Sequence, residues 1–267
     1  MKRASYFSRV GVKTVKSQLD SVFAAEVLDV ASLRSLARCG DDIPKTYRWR
    51  VWTHLLLGWR SMTAVPFLSQ QLQAKYSDLR RAAVVLNEEA LQKAKKSRRK
   101  AAEMLFMLQL LCRVRGSHVE GSPEELESVL QVFVGVFPEE AAAQAFYCFE
   151  RTLLQSRAEV VALCNRTREM LSRGQQELVE VVDDRVLRSW FCSLFAVAFR
   201  DQVLIVWDAL FSFEPLEQVG FLAAMACAIV RLNVRPEAAS EVIKITTPVS
   251  QVLQFAIQIH ENKKSTV

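Results

Sequence analysis

Glycine is scarce in this chain, 8 among 267 residues, and neither Asn-Gly nor Asp-Gly occurs anywhere. Two-residue hairpin turns between antiparallel strands favour those pairs, so their absence speaks against a β-rich fold. The glycines never gather into a phosphate-cradling loop either, which argues against a nucleotide site in the chain itself. Histidine is rarer still, at positions 54, 118 and 260, and the six cysteines at 39, 112, 148, 164, 192 and 227 form no C-x-x-C pair. A zinc site and a disulfide framework are thereby disfavoured, and buried, reduced thiols are the expectation. No nucleophile elbow or comparable Ser-His-Asp or Cys-His signature stands out. No cofactor and no metal is expected. The longest uncharged apolar run, residues 221–230, ends at Arg231, well short of the ~18–20 residues that cross a bilayer. Met1-Lys2-Arg3 is followed by polar residues rather than by the apolar stretch of a secretory signal. A cytoplasmic protein without a transmembrane segment is the expectation.

What the chain has in abundance is apolar surface, with 51% hydrophobic residues, enough to bury a large core in one domain. All seven prolines, at 44, 66, 123, 138, 215, 236 and 248, stand where a helix can begin, the one place where a missing N–H costs nothing. Ser122-Pro123-Glu124-Glu125 and Ser156-Arg157-Ala158-Glu159 fit the capping box, and Gly40, Gly58, Gly116 and Gly174 can end helices. Leu126, Val129, Leu130, Phe133 and Phe137, then Ala142, Phe146, Phe149 and Leu153, repeat at three- and four-residue spacing. Further helices are expected near 15–27, 30–39, 44–58, 66–95, 99–115, 156–173, 185–199, 202–212, 215–232, 236–245 and 248–262. The sum is a single all-α domain of about twelve helices.

The net charge of +6 raises nucleic acid as a partner, but no aromatic-basic stripe or binding module accompanies it, and none is expected. The densest charge is the run 93–100, KAKKSRRK. Like charges so close repel and favour water, which suits a solvated connection between helices; an acidic partner, an anionic membrane surface or a nuclear import signal is the functional alternative.

Residues 190–211, WFCSLFAVAFRDQVLIVWDALF, read as two apolar helical segments interrupted at Arg200-Asp201-Gln202 and containing a Trp-Asp pair. Such a hairpin would be buried on nearly all sides and would sit at the centre of the fold. Upstream lies Ile43-Pro44, then Arg48, Val51-Trp52 and Leu56-Leu57-Gly58, and between the two segments stands Ala145-Phe146-Tyr147-Cys148-Phe149. In order and spacing these three matches, over roughly residues 33–230, resemble the TBC domain of Rab GTPase-activating proteins. The resemblance implies a two-lobed helical array. Trp52, Phe146, Phe149, Trp190, Phe191, Phe195 and Trp207 are the core positions expected to matter most.

Catalytic TBC domains supply an arginine from I-x-x-D-x-x-R and a glutamine from Y-x-Q to a bound GTPase, and such an arginine can contribute ~10³ to 10⁵ in rate. Here Asp78 and Arg81 keep the first spacing, yet Lys75 replaces the isoleucine. Gln109 stands near the expected glutamine, yet Met107 replaces the tyrosine and Leu110 the following glycine. On helical periodicity alone, Leu68, Leu72, Tyr76, Leu79 and Ala83 share one face of their helix, which leaves Asp78 and Arg81 on a solvated face as a local charge pair. The resemblance therefore implies a non-catalytic or weakly catalytic interaction subunit in small-GTPase regulation. Its implied partner is a coiled-coil scaffold helix, hamartin-like, in the tuberous sclerosis complex that restrains Rheb and mTORC1 signalling. The alternative is an active regulator of a Rab-type GTPase with Arg81 and Gln109 as its fingers. Peripheral association with endomembranes is compatible with both, and a helical adaptor unconnected with GTPases is the third reading.

Overall fold

A computed structural model describes residues 14–38, 43–95, 98–153, 156–173, 175–234 and 243–262, and its described residues hold fifteen α-helices and no strand longer than one bridge. They are α1 (Val15–Ala24), α2 (Val30–Arg38), α3 (Lys45–Leu57), α4 (Val65–Leu86), α5 (Glu88–Lys93), α6 (Arg99–Arg115), α7 (Pro123–Val136), α8 (Ala142–Thr152), α9 (Arg157–Ser172), α10 (Glu177–Val181), α11 (Asp184–Cys192), α12 (Ala196–Phe199), α13 (Val203–Ser212), α14 (Pro215–Asn233) and α15 (Val249–Asn262). The all-α class stands as read. Both capping boxes form, with Ser122 and Ser156 accepting from Glu125 N and Glu159 N. Gly58 and Gly116 end α3 and α6 at φ 69° and 63°, a backbone shape that costs glycine little. Gly40, Gly174, Cys39 and Pro236 lie outside the described residues.

The helix count exceeds twelve because two expected helices break and the short α10 was not expected, while a third expected helix is absent where it is described. Segment 66–95 splits at Asn87, whose carboxamide donates to Ala83 O at 2.9 Å and so competes with the helix backbone. Segment 185–199 breaks at Ser193–Phe195, where Leu194 and Phe195 adopt φ 46° and 63°, and the carbonyl of Leu194 accepts the Trp207 indole at 2.7 Å. The expected hairpin of two helices is thus three helices, α11 to α13, joined by this left-handed turn and a 3-10 turn at Arg200–Gln202. Segment 236–245 fails as a helix where it is described: residues 243–246 are not helical. The Asn233 side-chain oxygen accepts from Thr246 N and Thr247 N at 2.8 and 2.9 Å. Thr247 also precedes Pro248, and that position resists the helical region.

The core runs through the middle of the chain's order. Trp52, Phe146, Phe149, Phe191, Phe195 and Trp207 are sealed from solvent and Trp190 is buried, so every core position named from sequence is in the interior. The Trp52 ring meets Phe133, Trp207 and Phe211 with centroids 5.2–5.6 Å apart. Into this aromatic cluster is set one ion pair. Arg48 Nε donates to both Asp208 oxygens at 3.0 and 3.2 Å, and the Trp52 indole donates to the same carboxylate at 2.8 Å. Arg48 and Asp208 are 4% and 3% exposed, so the pair ties α3 to α13 with almost no water to replace it.

Helix α14 alters one expectation. The uncharged run 221–230 belongs to a helix of 19 residues, long and apolar enough by composition to cross a bilayer. In this fold residues 220–230 are buried, with α9 and α15 packed on them. At Gly220 an added Cβ would lie 3.0 Å from the His260 ring of α15 and 3.2 Å from the Arg166 guanidinium of α9, so a methyl there would force the ring or the guanidinium to give way.

His54 offers a pH handle on stability. Its Nδ1 donates to Trp59 O at 2.8 Å, its ring lies 5.5 Å from that of Phe23, and burial holds its pKa below the ordinary 6.5. The unfolded chain therefore binds this proton more readily than the folded one. The group's contribution is complete above about pH 6.5 and is lost as pH falls through that value toward the folded pKa. In urea unfolding at pH 7.5 and 5.5, the wild type is expected to lose more stability across the interval than His54→Gln. Equal losses would remove His54 as the cause.

Candidate functional site

Helix α4 presents the residues of the first degenerate motif. Its inner face is the one expected, with Tyr76 and Ala83 buried, Leu72 and Leu79 half-buried against the core, and Leu68 half-buried. Lys75, Asp78 and Arg81 face water. Among the described residues Asp78 and Arg81 make no ion pair with each other, which corrects the local pair expected from their spacing. At i and i+3 they are helix neighbours, but each side chain is free to extend into solvent.

Arg81 lines a cleft of about 460 Å³ between α4 and the start of α6. Beside it, Arg80 is bound to Glu103 of α6, Nε and Nη2 both reaching one carboxylate oxygen at 2.8 Å, and Arg99 approaches the other oxygen at 3.6 Å. Glu103 is 8% exposed. Its hydrogen bond holds the Arg80 pKa above the ordinary arginine value, while burial raises that of Tyr76 on the cleft floor. The sequence reading missed this arrangement. The signal was there only as an unexpected glutamate in the apolar face of α6, between Ala101 and Met104.

Gln109 is placed elsewhere. It is exposed on α6 while its neighbours Met104, Met107 and Leu108 are buried, and it borders a more apolar cleft of about 420 Å³ lined by Leu105, Leu108, Cys112, Val119 and Leu126. From Glu103, which touches Arg80, to Gln109 is six residues of α6, about 9 Å of helix axis. Arg81 and Gln109 line different clefts and share no lining residue.

The remaining candidates are quiet. Among the described residues no three of His, Cys, Asp and Glu gather closely enough to hold a metal. Cys148, Cys164, Cys192 and Cys227 are buried and Cys112 is half-buried; burial pushes the Cys192 and Cys227 thiols up to about 11 and Cys148 higher still. Such thiols stay protonated at neutral pH and are poor nucleophiles. Of the basic run, Lys93 pairs with Glu89, Arg98 with Glu127 and Arg99 with Glu103.

No protein-family model matches the chain, and no curated protein sequence matches it.

Proposed function

We propose that this chain is a TBC-type helical protein acting as a non-catalytic or weakly catalytic interaction subunit in small-GTPase regulation. One observation carries the reading: the aromatic and Trp-Asp signatures lie in a packed interior, whereas Arg81 and Gln109 line separate clefts. An activator must bring both side chains to one γ-phosphate, and catalytic geometry tolerates errors of only about 1 Å. In sequence, residues 6–12, the segment Tyr47-Arg48 to Val51-Trp52 and residues 243–253 resemble TBC domain family member 7. That likeness supports a hamartin-like coiled-coil helix as the partner, in a complex restraining Rheb and mTORC1 signalling from a cytoplasmic or peripheral endomembrane position. Docking would follow the helix-in-groove mode, with an amphipathic partner laying its apolar face on the chain.

The exposure of Arg81 in a cation-rich cleft favours a second reading, an active regulator of a Rab-type GTPase using Arg81 and Gln109. Single-turnover GTP hydrolysis over a panel of Rab GTPases and Rheb decides between the two. No acceleration above the intrinsic rate is expected from the wild type or from Arg81→Ala. Acceleration of tenfold or more that Arg81→Ala abolishes would overturn the non-catalytic reading.

A further inference from the structure

The cleft between α4 and α6 has a charge that its own carboxylate does not balance. Arg80, Arg81 and Arg99 line it, with Ser77 and Gln73 adding polar groups, and its one acid, Glu103, is already shared by Arg80 and Arg99. Arg80 and Arg99 also face the adjoining cleft and its two glutamates, so the cation left unmatched in this space of about 460 Å³ is Arg81. Among the described residues Arg81 pairs with no acid. Glu139 and Glu140 do stand nearby, but they line the adjoining cleft toward α8, together with Lys100. The surplus is therefore concentrated on the α4 side.

At the rim of the same cleft stands Val85, 72% exposed, followed by Leu86 at 66%. Val85 follows Arg81 by one helical turn, so aliphatic and cationic groups share one outward strip. Among the described residues nothing covers them. A nucleic acid, or a peptide that offers only acidic side chains, would satisfy the arginines and leave the two aliphatic side chains in water. An anionic lipid surface satisfies both: guanidinium forks grip phosphate oxygens bidentately, and branched aliphatic groups settle among the headgroups and upper acyl chains.

We propose that this cleft seats the phosphate-bearing headgroup of an anionic membrane lipid, with Val85 and Leu86 entering the interfacial layer beside it. Arg81 is the direct phosphate ligand, and Arg80 and Arg99, fixed by Glu103, form a pre-positioned positive wall. The site does not depend on the TBC reading, because it rests on the cleft alone.

Co-sedimentation of the full chain with vesicles tests it, without any GTPase present. Vesicles of phosphatidylcholine alone are compared with vesicles containing 5% phosphatidylinositol phosphate, and soluble inositol phosphate is titrated separately. The wild type is expected to bind the charged vesicles selectively. Binding should fall roughly fivefold for Arg81→Ala and roughly thirtyfold for Arg81→Glu, from the free energy a basic residue gains at an anionic surface. Val85→Asp should also weaken it, by roughly tenfold. Arg185→Glu on the exposed face of α11 makes the same change in net charge and should leave binding unchanged. Melting temperatures equal to wild type establish that each variant is folded. Absence of vesicle binding overturns the proposal, as does binding that Arg81→Glu and Arg185→Glu reduce alike. Tight binding of soluble inositol phosphate that ignores Val85→Asp and exceeds vesicle binding overturns the lipid assignment.

Discussion

Replacing Asp208 with alanine is expected to destabilise the protein by about 3–5 kcal/mol, the range for removing one partner of a buried ion pair. The cause is what remains behind. Arg48 would keep its charge in an aromatic interior, 4% exposed, with neither of its present carboxylate contacts, and the Trp52 indole N–H would lose its acceptor. Asp208→Asn, which keeps an acceptor for Trp52 and removes the charge, should fall between wild type and Asp208→Ala. The double change Arg48→Met with Asp208→Leu should recover part of the loss, because it removes the stranded charge and leaves only the Trp52 indole N–H without its acceptor. Urea unfolding of the four proteins is the measurement. A single Asp208→Ala loss below about 1 kcal/mol would mean that water reaches the pair.

The second large effect is expected at Trp207, where alanine should cost about 3–5 kcal/mol through the cavity it leaves. The ring is sealed from solvent and meets Trp52, Phe133 and Phe211 at 5.2–5.7 Å between centroids. Truncation should therefore unfold or aggregate the protein and abolish every function together. Trp207→Phe separates two contributions, since it keeps most of the apolar bulk but withdraws the donor from Leu194 O. Its expected cost is about 1–3 kcal/mol, that of a buried acceptor left unmade. A soluble Trp207→Ala protein with an unchanged melting temperature would contradict this placement.

Much of the scaffold was legible because its signals are local. Proline at Pro123 and Pro215, the serine caps at Ser122 and Ser156, and the three-four spacing from Leu126 to Phe137 each act within a few residues. The breaks at Ser193–Phe195 and at 243–247 escaped because distant side chains make them: the Trp207 indole in one case and the Asn233 carboxamide in the other. The candidate site divided in the same way. Arg81 and Asp78 could be placed on an outward helix face from periodicity. That Glu103 would take Arg80 rather than Arg81 depends on the register of two packed helices, with partners 23 positions apart.

The left-handed turn at Leu194 couples a bend in the backbone to a distant side chain. No glycine or proline marks it; the local contribution is the Ser193 hydroxyl, which donates to Ser189 O at 2.6 Å. The corner is closed locally by Phe195 N–H on Trp190 O at 2.7 Å, and the Leu194 carbonyl it turns outward is taken by the Trp207 indole. The sharp corner is thus anchored to a ring thirteen positions further on, and whatever loosens that ring also loosens the bend.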